Sequence, residues 1–421
     1  MGVDDTDSRE GGCTTHLANR LLEAFPEWDL IDLPRLVRLN PAVPWKTRGN
    51  GAVALAIGRG AGDPLPAARI GGRARAAFPS AAREGPDPED VLTRAAAVVE
   101  RWARIGAPGT SPGLVVARAP PPAALYEAAV TRIVEWEEAA PHLDGRLSRA
   151  WAGGRGRLGA LAALAWPAQR GSWELVSYRD AARWGTPRDL DAALAAKLDR
   201  EPAVFDCADP ETGEIVMAPA SPCPVLWGLR GTDPRSLLAL RDVLGPERGA
   251  EWTLFRTNHA TDDHLRDRTC AALEARTGAR LAATVTAAPR RIPGGHVLVD
   301  VEDATGRATL AAYAPTGAFR DRVASLAPGD SVVAYGSVVR EGTVNLEKLQ
   351  IVAAAPRRAK PAACCGRAMK AKGRGADGRG VWKCRACGRR AGDAEVPGPA
   401  AVWWEVPTRA RRHLARPLRL G

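Results

Sequence analysis

The sequence predicts a multi-domain α+β protein that carries a small β-barrel and a cysteine-rich ribbon toward its C-terminus. Three observations favour this fold class. At 421 residues the chain is much longer than the roughly 100–200 residues of one domain. Strand and helix patterns alternate up to about position 260, whereas short strands broken by Gly and Pro fill residues 280–353. Four of the eight cysteines lie between Cys364 and Cys387.

Residues 1–135 indicate an α/β domain. Helix patterns alternate with strand patterns; the helices cover Thr15–Phe25, Pro88–Arg104 and Ala123–Glu138, and the strands cover Leu36–Asn40, Ala52–Gly58 and Leu114–Ala117.

An acidic turn, Asp4-Asp5-Thr6-Asp7, opens this domain. Three carboxylates in such a short stretch supply hard oxygen ligands that suit Mg²⁺ bound to a nucleotide, because phosphate and water complete its octahedron. An ordinary acidic surface turn is the alternative. The continuation Gly11-Gly12-Cys13-Thr14-Thr15 favours the functional hypothesis, since a glycine turn that opens a helix can hold an anion with its backbone N–H groups.

Two further stretches combine glycines with fixed positive charge, Lys46-Thr47-Arg48-Gly49-Asn50-Gly51 and Gly153-Gly154-Arg155-Gly156. Neither is a Walker A motif. Both have a composition that lets backbone donors and cationic side chains approach phosphate, although each could also be only a turn.

The next two regions differ in pattern. Residues 136–260 interleave strands with two helices, Leu190–Leu198 and Arg235–Leu244, which favours a ferredoxin-like arrangement. Residues 275–356 predict five strands with one helix, Phe319–Leu326, after the third strand. That order is typical of the OB-fold, and a generic small β-barrel is the alternative.

The cysteine cluster predicts a zinc ribbon over residues 360–394. Cys384 and Cys387 form a Cys-x-x-Cys knuckle, and its distance along the chain from Cys365 is that expected between the two knuckles of a ribbon. The first knuckle is irregular, because Ala362 stands where its first ligand is expected and Cys364 lies beside Cys365. Adjacent side chains of an extended chain point to opposite faces, so the use of both thiols requires a sharp bend. A degenerate ribbon without zinc is the alternative.

Positive charge is concentrated in this C-terminal part. The chain has 59 Lys or Arg and 48 Asp or Glu, a net charge of +11. Residues 357–421 hold 17 of the basic and 4 of the acidic residues, which makes that segment +13 and the remainder −2. Such a segment is typical of a polyanion-binding appendage, and a solvated basic tail is the alternative.

The sequence offers no sign of a membrane or secreted protein. It has no run of about 18 apolar residues and no signal-peptide pattern at its start. The scattered and clustered cysteines suit a reducing compartment better than a disulfide framework. We therefore expect a cytoplasmic protein.

Several ordered motifs resemble those of the archaeal tRNA(Ile) 2-agmatinylcytidine synthetase family, over nearly the whole chain. They are Val3–Ser8, Gly12–Thr15, Arg35–Pro41, Pro44–Gly51, Gly154–Ala162, Phe205-Asp206 with Glu211–Gly213, Pro224–Gly231 and Ile292–His296. The resemblance implies an ATP-dependent enzyme that joins agmatine to C2 of the wobble cytidine of a tRNA with a CAU anticodon, through a phosphorylated cytidine. It also implies a kinase-like domain (1–135), a ferredoxin-like domain (136–260), an OB-fold (275–356), a zinc ribbon (360–394) and a basic tail (395–421).

The resemblance also assigns roles to residues. It implies that Thr14 is self-phosphorylated. For agmatine, Asp206 is a candidate partner of the guanidinium, Trp227 a candidate stacking face and Arg230 a third candidate contact; a purely structural role for Asp206 and Trp227 is the alternative. The catalytic set is Asp4, Asp5, Asp7, Thr14, Lys46 and Arg48. The ATP and Mg²⁺ set is Asp4, Asp5, Thr6, Asp7, Gly12, Thr14, Thr15, Asn50, Gly154, Arg155 and Gly156. The zinc set is Cys364, Cys365, Cys384 and Cys387. Another ATP-dependent RNA modifier or a non-catalytic tRNA-binding protein on the same scaffold are the competing interpretations.

Overall fold

The amino-terminal body is a mixed sheet with helices packed on it. A computed structural model of the chain describes residues 1–46, 49–83, 85–242, 246–399 and 401–421. The strands of the body are β1 (Gly2–Asp4), β2 (Asp29–Ile31), β3 (Arg35–Arg38), β4 (Gly51–Ala54), β5 (Ile57–Ala61), β6 (Leu65–Ile70), β7 (Arg73–Phe78), β8 (Ser80–Arg83), β9 (Gly113–Val116), β10 (Leu147–Ala150), β11 (Ser172–Tyr178), β12 (Val204–Phe205), β13 (Val225–Gly231) and β14 (Glu251–Thr257). Its helices are α1 (Thr14–Glu23), α2 (Pro88–Trp102), α3 (Ala123–Thr131), α4 (Trp136–Ala139), α5 (Gly156–Ala165), α6 (Ala192–Leu198) and α7 (Pro234–Leu240).

The two halves of the body share one sheet. The first half contributes the order β10-β9-β1-β4-β3, and β3 pairs in parallel with β14, where Arg35 lies opposite Arg256. The second half runs β14-β11-β13-β12, with α6 between β11 and β12 and α7 between β13 and β14. The connectivity of this second half is βαββαβ. The shared sheet holds the two halves in a fixed relation.

Helix α5 packs on the strands of the first half of the body. Strand β10 pairs with β9, and α5 packs on β1, β4 and β9. Residues Ala160–Ala163 are all buried against Val37 and Val115. The small side chains of this Ala-rich helix allow it to approach the sheet closely, which the sequence pattern alone does not reveal. The long helix expected over Ala123–Glu138 is divided into α3 and α4, because Arg132 has an extended backbone.

A closed five-stranded barrel follows the body. Its elements, with a short preceding strand, are β15 (Leu265–Arg268), β16 (Thr277–Val285), β17 (Arg290–Ile292), β18 (His296–Asp303), β19 (Gly306–Ala312), α8 (Ala318–Val323), β20 (Ser331–Arg340) and β21 (Thr343–Ala353). The barrel closes in the order β16-β18-β19-β21-β20-β16, with β19 and β21 parallel. The five expected strands are present, and α8 lies between the third and fourth of them.

The cysteine-rich region is an excursion from a two-stranded neck. Strand β22 (Arg357–Ala359) pairs with β26 (Ala394–Val396), and between them a small sheet contains β23 (Lys370–Arg374), β24 (Gly380–Lys383) and β25 (Arg390–Ala391).

The end of the chain is not the free basic tail expected over residues 395–421. Strand β27 (Trp403–Glu405) pairs with β21 of the barrel, and the following residues return to the body. We call residues 403–421 the C-terminal strap. Several of its arginines pair with acidic side chains of the body, so much of its charge is neutralised within the molecule; the pairs are Arg409–Asp209, Arg411–Asp206 and Arg419–Asp199.

The described helices are all too short or too polar to cross a lipid bilayer.

Candidate active site and cysteine cluster

A cavity of about 330 Å³ lies where the two halves of the body meet. It collects residues from β1, the start of α1, the loop before β4, the start of α5, and strands β11 and β13. The sequence-predicted residues that line it are Asp4, Asp5, Asp7, Thr14, Thr15, Lys46, Asn50, Arg155, Gly156 and Arg230. Segments far apart in the chain therefore converge on one site.

The acidic turn forms one end of this cavity. Asp4 ends β1, which is held between β4 and β9, and Asp5 has a left-handed backbone with φ of 57°. The guanidinium of Arg155 lies 2.6 Å from a carboxylate oxygen of Asp5. Burial, followed by the negative charge of Asp5, raises the pKa of Asp4 to about 8. Three carboxylates grouped in this way, one of them with a raised pKa, are a setting that a bound divalent cation stabilises.

Two glycines of α5 allow the helix to contact the acidic turn. A Cβ at Gly159 would lie 1.9 Å from Oδ2 of Asp4, and one at Gly156 would lie 2.5 Å from its carbonyl oxygen. Any side chain at these positions would displace the acidic turn. The glycine-rich segment therefore serves close packing, and Gly154 does not line the cavity.

The first turn of α1 faces the same space. The first backbone N–H groups of a helix have no acceptor within the helix. Cys13, which precedes α1 with an extended backbone, makes no side-chain cap to them. Thr6 is buried beneath the cavity, and its hydroxyl donates to Oγ1 of Thr14 at 3.1 Å. Gly12 lies outside the main cavity, beside a smaller one that His16 and Trp102 also line.

The loop before β4 supplies positive charge. Lys46 Nζ donates to the carbonyl of Pro41, and burial, followed by the charge of Arg412, lowers the pKa of Lys46. Asn50 has φ of 42°, and its Nδ2 donates to the carbonyl of Asn40 at 2.8 Å. Arg48 lies outside the described residues.

The opposite wall comes from alternate residues of β11 and β13. Glu174 lies opposite Arg230, and Val176 lies opposite Gly228, in one antiparallel register. All four line the cavity. Since successive side chains of a strand point to opposite faces, Trp227 must point away, and it is only 3% exposed within the core. The structure therefore does not bring Trp227 to the cavity as the stacking face that was expected there.

Asp206 is also not available to a ligand in the cavity. It is 5% exposed, forms an ion pair with Arg411 of the strap, and has an oxygen 3.7 Å from Arg230. It does not line the cavity. The guanidinium groups beside Asp206 are those of Arg411 and Arg230, so the structure does not present this carboxylate to agmatine in the cavity.

Glu174 is a site residue that sequence reasoning missed. Its carboxylate is 3.4 Å from Arg230 Nε and 3.6 Å from His259 Nδ1, yet Oε2 has no hydrogen-bond partner among the described residues. The side chain is 5% exposed. A buried carboxylate with unused acceptor capacity is a strong site for a cation. The available signal was that Glu174 is the one charged residue of the strand Ser172–Tyr178.

Arg38 and His413 were missed as well. Arg38 ends β3 and points into the cavity, where burial lowers its pKa to about 10, so it remains a cation near neutral pH. His413 reaches the cavity from the C-terminal strap. Nothing in the local sequence around His413 indicates that it meets residues from the opposite end of the chain.

The four cysteines of the excursion from the neck converge. Their sulfur atoms all lie within 4.8 Å of one another, with Cys364 3.6 Å from Cys387 and 3.9 Å from Cys365. Sulfurs bound to one tetrahedral Zn²⁺ at about 2.3 Å lie about 3.8 Å apart. The required sharp bend is present, because Cys365 has φ of 52°. The donor set and its spacing fit a zinc ion.

Comparisons with known proteins agree with this arrangement. Family models for the TiaS TCKD domain and the TiaS FLD domain match residues 1–150 and 154–264, so the two halves of the body define a TiaS-type catalytic scaffold. The tRNA(Ile) 2-agmatinylcytidine synthetase TiaS of Methanosarcina mazei is 36% identical over 99% of this chain and 96% of its own, and that of Methanocaldococcus jannaschii is 32% identical over 100% and 98%. The chain therefore belongs to the tRNA(Ile) 2-agmatinylcytidine synthetase family.

Solved structures show the same likeness. A crystal structure of apo TiaS has a TM-score of 0.81 and 32% identity over 99% of this chain and 96% of that chain. A crystal structure of TiaS in complex with its isoleucine tRNA, AMPCPP and agmatine has a TM-score of 0.78 and 30% identity, with the same coverage.

Proposed function

We propose that the chain uses ATP to join agmatine to C2 of the wobble cytidine of tRNA(Ile) with a CAU anticodon. The observation that carries this proposal is one cavity in which an acidic turn, a helix N-terminus and the buried Glu174 face one another; Oε2 of Glu174 has no hydrogen-bond partner among the described residues. Relatives that match almost the entire chain are synthetases of this kind, and one solved relative holds the isoleucine tRNA, an ATP analogue and agmatine.

The acidic end of the cavity is suited to the triphosphate. Asp4, Asp5 and Asp7 would hold Mg²⁺, which supplies charge neutralisation for phosphoryl transfer when bound. The N–H groups at the start of α1 would bind phosphate oxygens, as helix N-termini commonly do. Lys46 and Arg155 add positive charge, and we extend this role to Arg48.

The position of Thr14 suits either a phosphoryl acceptor or a residue that binds the triphosphate and its Mg²⁺. It lies at the first turn of α1, faces the cavity, and accepts a hydrogen bond from Thr6. We therefore keep it as the candidate for self-phosphorylation.

The chemistry that we propose has two steps. A phosphoryl group passes from ATP to the O2 oxygen of the cytidine: a new P–O2 bond forms, the P–O bond to the rest of ATP breaks, and the remaining nucleotide leaves. The phosphorylated O2 is then a good leaving group. The primary amine of agmatine then forms a bond to C2, the C2–O2 bond breaks, inorganic phosphate leaves, and the amine nitrogen loses a proton. Arg38 and Arg155 would neutralise the developing negative charge, an effect that is large in a site shielded from water.

Agmatine would occupy the wall formed by β11 and β13. Its guanidinium is suited to Glu174, whose Oε2 lacks a partner among the residues that the structure describes. Its tetramethylene chain would pack along Val176, Val216 and Met217. Arg230 would orient Glu174 rather than bind agmatine directly, since two guanidinium groups repel each other.

We also propose domain identities. The first half is the kinase-like domain, the second half the ferredoxin-like domain, and the barrel an OB-fold, because its strand order and the position of α8 are those of that fold. The excursion from the neck is a zinc ribbon, with Zn²⁺ held by Cys364, Cys365, Cys384 and Cys387. Its exposed basic residues are suited to the phosphate backbone of tRNA; they include Arg367, Lys370, Lys372, Arg374 and Arg379.

One assay tests the proposed function. The purified chain is incubated with ATP, Mg²⁺, radiolabelled agmatine and unmodified tRNA(Ile) with a CAU anticodon, and label in the tRNA is counted. We expect incorporation that requires ATP and disappears when the wobble cytidine is replaced by uridine. Tight tRNA binding without incorporation would show that the amine substrate is different or that the chain only binds tRNA.

A further inference from the structure

The C-terminal strap connects three parts of the molecule. Leu349 of β21 pairs with Trp404 of β27, so the strap begins as an added strand of the barrel. It then crosses to the body, where Arg409 lies 2.7 Å from Asp209. The strap is thus anchored to both barrel and body before it reaches the cavity.

Backbone hydrogen bonds fix the strap beside the cavity. The N–H of Ala260 donates to the carbonyl of His413 at 2.9 Å, and the N–H of Asp262 donates to that of Leu414 at 2.8 Å. The ring of His413 lies 5.1 Å from that of His259, centroid to centroid, with an angle of 32° between the planes. His413 is therefore held against His259 by its own backbone.

His259 in turn orients Arg38. Arg38 Nε donates to His259 Nε2 at 2.8 Å, so the ring is neutral and carries its proton on Nδ1, the nitrogen 3.6 Å from Glu174. Burial, followed by the charge of Arg38, holds the pKa of both His259 and His413 well below the usual range. Two neutral rings thus support one buried cation without adding charge to it.

The strap also supports the loop that faces the triphosphate end. A Cβ on Gly49 would lie 3.4 Å from His413 Nε2, and Arg412 donates to the carbonyl of Pro41 at 3.0 Å. Lys46 donates to that same carbonyl. Arg412 and His413 therefore lie beside both ends of this loop, at Pro41 and Gly49. His413 also lies against the His259 ring that accepts the hydrogen bond from Arg38.

We propose that the C-terminal strap is a structural part of the catalytic cavity and that His413 is a positioning residue, which fixes Arg38 through His259 and supports the loop at Gly49. The proposal rests on the proposed ligation reaction. It assigns His413 no contact with the reacting atoms. Its role is to keep the Arg38 guanidinium directed at the charge that develops during phosphoryl transfer.

The test compares substitutions on the strap. His413→Ala removes the ring, His413→Phe keeps a ring that can stack on His259, and Arg419→Ala breaks a strap ion pair with Asp199 away from the cavity. For each protein we would measure kcat and KM for agmatine incorporation, the Kd for tRNA and the Tm. Wild-type incorporation must be present first; its absence would reject the proposed function and not this inference.

We expect His413→Ala to lower kcat by about 10- to 100-fold, because small misplacement of a charge-stabilising group has effects of that order. The KM for agmatine and the Kd for tRNA should stay within about twofold. His413→Phe should recover most of kcat, and Arg419→Ala should remain close to wild type.

Three results would overturn the proposal. They are a kcat for His413→Ala close to that of wild type, an equal loss in Arg419→Ala, and an equal loss in a folded His413→Phe protein. The last result would mean that an imidazole nitrogen itself is required. If His413→Ala does not fold, His413→Asn takes its place, since it also removes the ring, and it should show the same loss of kcat; a kcat close to that of wild type would overturn the proposal.

Discussion

The acidic turn shows how a few residues set the electrostatics of the cavity. Asp4 is held against α5 because Gly156 and Gly159 have no side chains, and this enclosure raises the pKa of its carboxyl to about 8. Asp7 closes the turn, and its carbonyl accepts a hydrogen bond from Thr110 at 2.7 Å. The carboxylates are therefore placed by backbone contacts that do not depend on a ligand.

The substitution Asp7→Ala tests the role of this turn. We expect the rate of ATP-dependent agmatine incorporation to fall by about 100-fold or more, because removal of one group that stabilises transition-state charge has effects of that order. The Kd for tRNA should not change, since we assign tRNA binding to the basic ribbon, which lies far along the chain from the acidic turn. Filter binding and label incorporation measure the two effects, and loss of tRNA binding with retained turnover would contradict the assignment.

Glu174→Gln tests the agmatine wall. The substitution keeps the shape of the side chain but removes the charge that faces the guanidinium, so the KM for agmatine should rise about tenfold or more. The KM for ATP should stay close to wild type. Asp180→Asn, an exposed change just beyond the same strand, is the matched control. A rise in the KM for ATP alone would place Glu174 at the triphosphate end instead.

Residues that are contiguous in sequence were predicted well, and residues brought together by folding were not. The acidic turn and the start of α1 are close neighbours along the chain, so their chemistry is visible as a motif. Glu174, Arg38 and His413 come from three distant segments, and each looks like an ordinary strand or tail residue. Trp227 was expected in the agmatine site, but the tertiary structure decides which face of β13 lines the cavity, and Trp227 lies on the other face.

Among the elements, the ribbon departs most from a regular pattern. Ala362 replaces the usual first ligand, and Cys364 reaches the other thiols through the left-handed backbone of Cys365. A change of backbone conformation at a single residue thus restores a four-sulfur set. The adjacent cysteines indicated the need for this bend, but local propensity gives no reason to expect it at a cysteine, since residues other than glycine seldom adopt a positive φ.

Zinc content tests the irregular knuckle. We expect Cys364→Ser to reduce bound zinc from about one ion per chain to well below it, because three thiolates leave the tetrahedral site incomplete. Adding Ala362→Cys to that variant should restore binding by creating a regular Cys-x-x-Cys pair with Cys365. Metal analysis of the purified proteins provides the measurement. Full zinc content in Cys364→Ser would show that Cys364 is not a ligand.

The carboxylate of Glu347 is buried where the barrel, the body and the strap meet. Glu347 of β21 is 4% exposed, lies 3.0 Å from His264 Nε2 and 3.2 Å from Arg412, and accepts a hydrogen bond from Ser337. Burial opposes its ionisation, yet these three partners together hold its pKa at about 2. The carboxylate therefore ties the three parts together in its charged form.

Glu347→Gln should lower the free energy of unfolding by about 2 kcal/mol or more near neutral pH. Because the folded pKa is below the unfolded one, the contribution of the charge is complete above about pH 4.5 and is lost as the pH falls toward 2. The difference between wild type and variant should therefore shrink on acidification. Urea unfolding at a series of pH values measures it, and a difference that is constant with pH would contradict this assignment.

At the scale of the whole molecule, the ribbon and the strap are separable although they are neighbours in sequence. Ala359 and Ala394 are paired across the neck, so the ribbon leaves and returns at one point. The sequence suggested one basic C-terminal appendage. The structure divides it into an exposed ribbon and a strap whose arginines are paired with the body, a division that charge composition cannot show.

Replacement of residues 360–393 by an Asn-Gly turn should remove the ribbon and keep the strap, since such a turn closes an antiparallel pair. We expect weaker tRNA binding with a smaller dependence on salt, because fewer phosphates are neutralised. Activity at saturating tRNA should remain. Truncation after Pro356, which removes both the ribbon and the strap, should abolish this activity. Unchanged tRNA affinity in the first variant would mean that the ribbon does not contact tRNA.

The strap also has a consequence for how the protein reaches its active form. Arg412 and Pro41 are joined by a hydrogen bond although they stand 371 positions apart in the chain. Contacts of such long range form late in folding, since the entropy of closing the intervening chain must be overcome first. Domains generally fold in the order of their synthesis, so the body, barrel and ribbon precede the strap. Refolding should therefore restore the spectroscopic signature of the body before it restores enzymatic activity.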